Sequence, residues 1–256
     1  MAILRDKVAI VTGASSGIGR ATALLFAREG ASVVVAARRQ AELDTLVAEI
    51  ATAGGRATAL AGDVKDEAYA KALVDLAVTK FGGLDIAFNN AGIVGDMGPL
   101  SDLSLADWHM LLDTNLTSSF LGAKYQLPAM VARGGGSFIL TASFVGYTAG
   151  MPGMAAYAAS KAGQIGMVKA LAVEYGPKGI RVNALLPGGT DTPASVTHAP
   201  GAGPEVQSCI EGLHAMKRMA QPEEIAQSAL FLASDAASFT TGIALLADGG
   251  VSINHT

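Results

Sequence analysis

Short aliphatic runs alternate along the chain with longer segments in which apolar residues recur at helical spacing. The runs are apolar at consecutive positions, which is typical of strands that are buried on both faces of a parallel sheet. Gly, Asn, Asp or Pro bounds the runs, as expected where buried strands end. The pattern predicts seven strands: Lys7–Val11, Ala31–Ala36, Ala57–Ala61, Leu84–Phe88, Ser137–Thr141, Ile180–Leu186 and Ile243–Leu246.

The segments between these runs have the apolar period of helices that cover a sheet. The predicted helices are Ile18–Glu29, Gln40–Ala53, Glu67–Lys80, Leu105–Val131, Ala156–Tyr175, Pro204–Lys217 and Pro222–Ser234. Alternating strands and helices predict an α/β fold, a doubly wound (Rossmann) seven-stranded parallel sheet with helices on both faces. No linker, composition break or solenoid repeat is visible, so we expect residues 1–256 to form a single domain.

One segment, Pro187–Pro204, interrupts this alternation. It holds four prolines and four glycines and follows the end of a predicted strand. Long loops in compact domains are usually functional. With the helix after it, the segment is predicted to form a lid over a site, around residues 190–217, although an ordinary surface excursion is the alternative.

Composition and charge narrow the class of protein. Of the 256 residues, 50% are hydrophobic and 16% are charged, which excludes a disordered or collagen-like chain. Lys and Arg number 18, Asp and Glu number 22, and the basic residues are dispersed, so we expect no nucleic-acid partner. The uncharged stretch Gly134–Ser160 is too rich in Gly, Ser and Thr to span a membrane.

Cysteine and histidine usage indicates the compartment. The single cysteine, Cys209, cannot form an internal disulfide, which favours a reducing environment. Charged residues near the start, Arg5 to Lys7, occupy positions where a secretory signal would be apolar, so we predict a cytoplasmic protein. No metal-ligand spacing relates the cysteine to the four histidines, and metal-free chemistry is expected. Those histidines are His109, His198, His214 and His255.

A glycine-rich motif, Thr12–Gly19, directly follows the first strand and opens a helix. Gly13 permits a tight turn, Gly17 lets the backbone approach a pyrophosphate, and Gly19 lets the helix pack on the sheet. The helix N-terminus adds amide donors and a positive dipole end. The motif therefore predicts a dinucleotide site, with a ligand-free glycine turn as the alternative.

The end of the second strand, Ala36-Ala37-Arg38-Arg39, bears on which dinucleotide is bound. An acidic residue there would accept a hydrogen bond from a ribose 2′-hydroxyl and repel a 2′-phosphate. No acid is present, and Arg38 is placed for a charge-assisted bond to a 2′-phosphate. NADP(H) is predicted in preference to NAD(H), unless Arg38 and Arg39 are simply solvated at a helix start.

Tyr157 and Lys161 are four residues apart in a predicted helix and therefore share one face. The neighbouring ammonium is expected to lower the pKa of the phenol toward the working range of an acid or base. Ser143 comes fourteen residues before Tyr157, just after the fifth strand, where a hydroxyl can enter the crevice. Thr141 also carries a hydroxyl and lies on the same side of the backbone, so strand geometry alone does not choose between Thr141 and Ser143.

These motifs occur in register with three others, namely Asn89-Asn90-Ala91-Gly92, Asn115 and the segment Pro187–Thr192. Together they resemble the short-chain dehydrogenase/reductase family, of its classical type, over essentially the whole chain. The resemblance implies that Asn115 bends its helix, holds a water and connects Lys161 to solvent. It also implies that Asn90 stabilises the central strand and lines the cofactor groove.

The resemblance selects Ser143 in preference to Thr141, which is then expected to support the site from behind. The predicted catalytic residues are Asn115, Ser143, Tyr157 and Lys161. The motifs and the resemblance together predict cofactor contacts from Gly13, Ser15, Ser16, Gly17, Ile18, Gly19, Arg38, Arg39, Asp63, Val64, Asn90, Ala91, Gly92, Tyr157, Lys161, Pro187, Gly188, Thr190 and Thr192. Three alternatives stay open from the residues themselves. Asp63 could be only the N-cap of the next helix, residues 89–92 a helix-start turn, and Pro187–Thr192 a plain turn.

The predicted function is that of an NADPH-dependent carbonyl reductase, reversible as an alcohol dehydrogenase. Its substrate would be a neutral ketone or secondary alcohol, because the lid and the facing loops are mostly apolar. A 3-oxoacyl-thioester (acyl-carrier-protein) reductase and a non-catalytic nucleotide-binding regulatory module are the alternatives. The first would need a basic patch, whereas Lys124, Arg133 and Lys178 are scattered. The resemblance also implies a homotetramer built from the Leu105–Val131 and Ala156–Tyr175 helices.

Overall fold

A seven-stranded, entirely parallel sheet forms the centre of the molecule in the computed structural model, which describes residues 2–199 and 201–254. The spatial order is β3-β2-β1-β4-β5-β6-β7, so the predicted doubly wound α/β class is confirmed. The strands are β1 (Val8–Thr12), β2 (Ser32–Ala37), β3 (Arg56–Ala61), β4 (Ile86–Asn89), β5 (Gly136–Thr141), β6 (Ile180–Pro187) and β7 (Ala244–Ala247).

Helices cover both faces of this sheet. They are α1 (Gly17–Arg28), α2 (Gln40–Thr52), α3 (Glu67–Phe81), α4 (Leu105–Leu112), α5 (Ser118–Arg133), α6 (Ala155–Tyr175), α7 (Pro204–Leu213) and α8 (Pro222–Ala233). Side chains from α1, α2 and α8 form one core, and side chains from α3, α5 and α6 form the other. Within β1, Ala9 and Val11 enter the first core, whereas Val8 and Ile10 enter the second. Burial on both faces explains the consecutive apolar positions.

The order of the strands reverses at β1, which pairs with β2 on one side and with β4 on the other. A crevice opens at such a reversal, outside the carboxyl ends of the strands. The loops that follow β1, β4, β5 and β6 all leave the sheet at this edge because the strands are parallel. The predicted functional motifs are therefore brought to one end of the sheet by the topology.

The prediction of a single helix over Leu105–Val131 is wrong. The structure places a π-helical turn at Asp113–Thr117 between α4 and α5. The side chains of Ser119 and Gln164 donate hydrogen bonds to the carbonyl oxygen of Asn115. In a regular α-helix this oxygen would accept from a backbone amide four residues later. An apolar period read over a long segment does not detect one widened turn.

Two further boundaries differ from the sequence predictions. The helix predicted over Pro204–Lys217 ends at Leu213, because His214 adopts extended backbone angles (φ −83°, ψ 141°). Residues 90–92 continue as an irregular loop after β4, so the alternative of a helix-start turn there is wrong. Pro200 of the predicted lid and His255 lie outside the described residues.

Replacing Leu140 with alanine should destabilise the protein, because this fully buried side chain of β5 contributes to one of the two cores. The expected loss is about 2–5 kcal/mol in the free energy of unfolding, measured by urea denaturation. Leu100→Ala is the matched control, since Leu100 is 63% exposed. The control should change the stability by less than about 0.5 kcal/mol, and equal losses in both variants would contradict the assigned core.

Candidate active site

The glycine turn after β1 has the geometry that a close approach of backbone requires. Gly13 and Gly17 have φ angles of 68° and 53°, which side-chain-bearing residues rarely adopt. A Cβ atom on Gly13 would lie 2.9 Å from the Asn90 Nδ2 atom, and one on Gly19 would collide with the Gly13 carbonyl oxygen. Glycine is therefore required at these positions by packing as well as by backbone conformation.

The N-terminus of α1 retains donors that its own side chains do not satisfy. Ser16 is the N-cap in an extended conformation, and its side chain makes no capping hydrogen bond. No acidic residue occupies the first turn. Free backbone amides at the positive end of a helix suit a phosphate or pyrophosphate, so this turn fits a dinucleotide. Thr192 lies across from it, because a Cβ on Gly17 would be 2.9 Å from the Thr192 methyl carbon.

A hydrogen-bond network ties the carboxyl ends of β1, β4 and β5 together. The backbone amides of Asn90 and Ala91 donate to the Thr12 hydroxyl oxygen at 3.0 and 3.1 Å. The side-chain amide of Asn90 donates to the Thr12 carbonyl at 3.3 Å, and its oxygen accepts from the Thr141 hydroxyl at 3.2 Å. Thr141 thus supports the loop after β4.

Lys161 is almost fully buried on α6, with 4% of its surface exposed. Its ammonium group donates to the Thr141 carbonyl at 2.7 Å and lies 5.7 Å from the centre of the Tyr157 ring. The helical spacing has brought both side chains to one face, as predicted. Burial lowers the pKa of Lys161 to about 8, because the charged form is poorly solvated there.

Ser143 and Tyr157 meet beside this lysine. Ser143 is buried, accepts from the Val145 amide at 3.1 Å and hydrogen-bonds to Tyr157. Burial raises the pKa of Tyr157, and the hydrogen bond with Ser143 lowers it in part. This direction is opposite to the one expected from sequence, since the hydrogen bond of Lys161 is made to Thr141 and desolvation of the phenolate dominates.

Asn115 is completely buried in the π-helical turn. Its side chain accepts from the Ile93 amide and donates to the Ile93 carbonyl, both at 2.9 Å, and also donates to the Ser160 hydroxyl at 3.0 Å. Its carbonyl accepts from Gln164 at 2.9 Å and from Ser119 at 2.8 Å. The widened turn agrees with the bend that the resemblance implied.

Three residues that were not predicted from the sequence hold Asn115 in place: Ser119, Ser160 and Gln164. All three are buried polar residues. Gln164 falls three positions after Lys161 on α6, so a polar residue on the face that also carries the lysine was the available signal.

The two arginines after β2 have different surroundings. Arg39 donates to the Ser15 hydroxyl of the glycine turn at 3.0 Å and forms an ion pair with Glu42 at 3.2 Å. Arg38 is exposed at the end of the strand. The alternative that Asp63 caps the next helix is wrong, because Asp66 is the N-cap of α3.

The loop after β6 leads from the crevice into the predicted lid. Thr190 is buried, and its hydroxyl donates to the Gly188 carbonyl at 3.0 Å. A cleft of about 440 Å³ lies at the beginning of the lid. Asp191, Thr192, Pro193 and His198 line it, and His198 is 2.7 Å from the Asp191 carboxylate.

Comparison with known proteins shows which family has this fold and this set of motifs. A family model described as enoyl-(acyl carrier protein) reductase matches residues 13–252. Gly13–Gly19, the buried Lys161 and strands β2 to β7 lie within the matched range. The chain belongs to the short-chain dehydrogenase/reductase family.

Individual relatives cover almost the complete chain. A cyclohexanol dehydrogenase of Acinetobacter sp. (strain SE19) is 41% identical over 244 residues, which are 95% of this chain and 94% of the relative. A 2,5-dichloro-2,5-cyclohexadiene-1,4-diol dehydrogenase of Sphingobium indicum is 42% identical over 251 residues, with 98% of each protein covered. The structure of carveol dehydrogenase from Mycobacterium avium in complex with NAD superposes with a TM-score of 0.93 at 31% identity, covering 99% of this chain and 100% of that one.

These relatives make this short-chain dehydrogenase/reductase an oxidoreductase that acts on CH–OH groups with a nicotinamide cofactor. No helix among residues 2–199 and 201–254 is long and apolar enough to cross a membrane. In the same part of the chain, no group of three or more His, Cys, Asp or Glu side chains could hold a metal ion.

The stability of the cofactor-free protein should depend on pH through Lys161. The pKa of Lys161 is about 8 in the folded protein and 10.5 in the unfolded chain. Between these two pH values the unfolded chain therefore retains a proton on this lysine that the folded chain has lost. The free energy of unfolding of the wild type should therefore rise with pH in this window relative to Lys161→Met, by at most ~1.4 kcal/mol per pH unit.

Urea denaturation from pH 7 to 10 measures this difference. Lys169→Met is the matched control, because Lys169 is an exposed lysine of the same helix. The difference between wild type and this control should stay constant with pH. A constant difference for Lys161→Met as well would show that the lysine is not desolvated.

Proposed function

We propose that this protein is an NADPH-dependent carbonyl reductase, reversible as an alcohol dehydrogenase, for neutral alicyclic ketones and secondary alcohols. The observation that carries the proposal is the hydrogen bond of Ser143 with Tyr157, whose ring centre lies 5.7 Å from the ammonium group of the buried Lys161. All three lie at the carboxyl edge of the sheet, beside the glycine turn. A protein that only bound a nucleotide would have no use for this trio.

The proposed mechanism assigns each step of proton handling to a named side chain. The nicotinamide, when bound, would supply or accept the hydride at the substrate carbon. Ser143 orients the substrate oxygen, and Tyr157 gives it a proton during reduction or removes one during oxidation. Because burial raises the pKa of Tyr157, its phenol carries the proton at neutral pH in the cofactor-free site, and this is the form from which reduction starts.

Lys161 has two roles in this proposal. It holds the nicotinamide ribose, and its hydrogen bond to the Thr141 carbonyl fixes the face of α6 that carries Tyr157. Asn115 is the fourth member and supports the proton path behind Lys161. Both acceptor positions of its carbonyl are used by Ser119 and Gln164, so its contribution here is through its buried side chain.

The proposed substrate class rests on shape and polarity. Phe144 and Val145 follow Ser143 in the chain and are buried. Met97, in the loop after β4, and Tyr147, in the loop after β5, have exposed side chains. The absence of a fixed positive charge among these four side chains favours a neutral ligand. Two relatives are named for six-membered carbocyclic alcohols, cyclohexanol and a cyclohexadienediol, and this ring size is part of the proposal.

The preference for NADPH rests on the end of β2. Ala36 and Ala37 are buried, Arg38 follows them in an exposed position, and no carboxylate is available for a ribose 2′-hydroxyl. Arg39 is placed against the glycine turn through Ser15, so a second cation lies close to the proposed phosphate. The cofactor contacts at Gly13–Gly19, Asp63, Val64, Asn90–Gly92 and Pro187–Thr192 complete this part of the proposal.

A homotetramer in the cytoplasm is the proposed physiological form. The helices expected to meet carry exposed apolar side chains within the described residues, among them Leu105, Met110, Phe120 and Val173. Such side chains are typical of surfaces that become covered on assembly. The single cysteine of the sequence agrees with a reducing compartment.

Consumption of NADPH and of NADH by the purified protein tests the proposal directly. The substrates compared are cyclohexanone, an aryl ketone, a cyclic diketone and a 3-oxoacyl thioester. We expect the cyclic ketones with NADPH to give the highest kcat/KM. Tyr157→Phe should remove most of the turnover, by roughly 100-fold or more, while NADPH fluorescence shows unchanged binding.

Tyr175→Phe is the matched control, because it removes a phenol from the C-terminal end of the same helix and should leave turnover unchanged. Preference for the thioester would replace the proposal with an acyl-carrier-protein reductase. Binding of NADPH without turnover of any compound would favour a regulatory module, and full activity of Tyr157→Phe would refute the assigned proton donor.

Arg38→Ala should raise the KM for NADPH while leaving the KM for NADH nearly unchanged. Loss of a charge-assisted bond to a phosphate is worth about 1.5–3 kcal/mol, roughly a 10- to 100-fold change. Arg56→Ala is the control, since Arg56 begins β3 at the amino ends of the strands, whereas Arg38 follows the carboxyl end of β2. Equal effects on both coenzymes would show that Arg38 does not contact a 2′-phosphate.

A further inference from the structure

His214 is a buried histidine that the proposed chemistry does not use. Only 2% of its surface is exposed, and it immediately follows the lid helix α7. Its Nε2 atom accepts a hydrogen bond from the Gly189 amide at 2.9 Å. Its Nδ1 atom is 2.8 Å from the Ile210 carbonyl oxygen.

These two bonds together determine the protonation of the ring. A carbonyl oxygen only accepts, so Nδ1 must carry the hydrogen that is donated to Ile210. An amide only donates, so Nε2 must be unprotonated to accept from Gly189. His214 is therefore a neutral imidazole with its hydrogen on Nδ1, and it links α7 directly to the loop after β6.

Three segments pack closely around this ring. A Cβ atom on Gly189 would lie 2.8 Å from the His214 Cε1 atom, and one on Gly249 would lie 3.3 Å from its Cδ2 atom. The Met216 amide donates to the Gly249 carbonyl at 3.1 Å. The end of the lid helix, the loop after β6 and the turn after β7 are thereby held in one arrangement.

The loop that His214 holds is also part of the proposed cofactor site. The Gly189 carbonyl accepts from the Ala220 amide at 2.9 Å, and the Asp191 amide donates back to the Ala220 carbonyl at 2.9 Å. The Gly189 amide links the backbone of this segment to the His214 side chain at the end of α7. Thr190 and Thr192 follow it and lead to the glycine turn.

We propose that His214 is a positioning residue that couples the lid helix α7 to the cofactor-binding loop through its neutral imidazole. It does not touch the reacting atoms. By fixing the Gly189 amide, it sets where Thr190 and Thr192 stand when the cofactor is present. The kinetic part of this inference rests on the proposed function, whereas the structural part does not.

Two substitutions of His214 distinguish the effect of its hydrogen bond with the Gly189 amide from the effect of the space that its ring fills. His214→Leu fills similar space but offers no acceptor, so the Gly189 amide loses its partner. His214→Gln places an amide oxygen at the reach of Nε2 and an amide nitrogen that can donate, so it should restore the link. Ser104→Ala is the control, because it removes the N-cap of α4, and hence some stability, away from the lid.

Hydrogen exchange of peptides covering residues 187–192 is measured first, in the cofactor-free protein. Exchange in His214→Leu should rise by roughly ten-fold, the factor that corresponds to a lost hydrogen bond of a buried group. Exchange in His214→Gln should return toward the wild-type rate, and Ser104→Ala should not change it. Equal exchange in the wild type and His214→Leu would overturn the inference, whether or not any substrate is turned over.

Binding and kinetics are measured next, well below the unfolding temperature of each variant. His214→Leu should weaken NADPH binding and raise the KM for the ketone more than it lowers kcat, with partial rescue in His214→Gln. A purely structural role would lower thermal stability in both variants without this split. Equal loss in the leucine and glutamine variants would show that the acceptor at Gly189 is not what matters.

Discussion

Hydrogen bonds around Asn90 join the carboxyl ends of three neighbouring strands, and the geometry of the site depends on them. The Thr12 hydroxyl oxygen of β1 accepts hydrogen bonds from two backbone amides, and the Thr141 hydroxyl of β5 donates one to the Asn90 side chain. Parallel strands leave their terminal backbone groups at one edge, where they need partners that the ladder does not supply. The short polar side chains of Thr12, Asn90 and Thr141 supply these partners and fix the positions of the strand ends beneath the crevice.

Lys161 extends that network from the sheet to the helix that carries Tyr157. Its bond to the Thr141 carbonyl anchors α6 against β5 at the level of the crevice. Burial disfavours the charged form of each group, so it lowers the pKa of Lys161 and raises the pKa of Tyr157. In the cofactor-free site, burial therefore makes the Lys161 ammonium a stronger acid and the Tyr157 phenol a weaker one than they would be in water.

The widened turn at Asn115 shows how a buried polar group can specify a local departure from regular structure. Its side chain satisfies both backbone groups of Ile93, which belongs to the loop after β4. Gln164 and Ser119 in turn satisfy its carbonyl. The helix pair α4 and α5 is therefore locked to the loop after β4 and to α6 by complementary donors and acceptors, not by apolar contact alone.

The sequence by itself determined the parallel α/β fold, the strands and the positions of the glycine turn, Ser143, Tyr157 and Lys161. It could do so because burial on both faces leaves consecutive apolar residues, and because helical spacing and strand ends follow from local geometry. Only the tertiary structure decided the direction of the pKa shift of Tyr157, the π-helical turn and the roles of Gln164 and His214. Desolvation and long-range hydrogen bonds depend on which elements meet in space, and no local pattern records that.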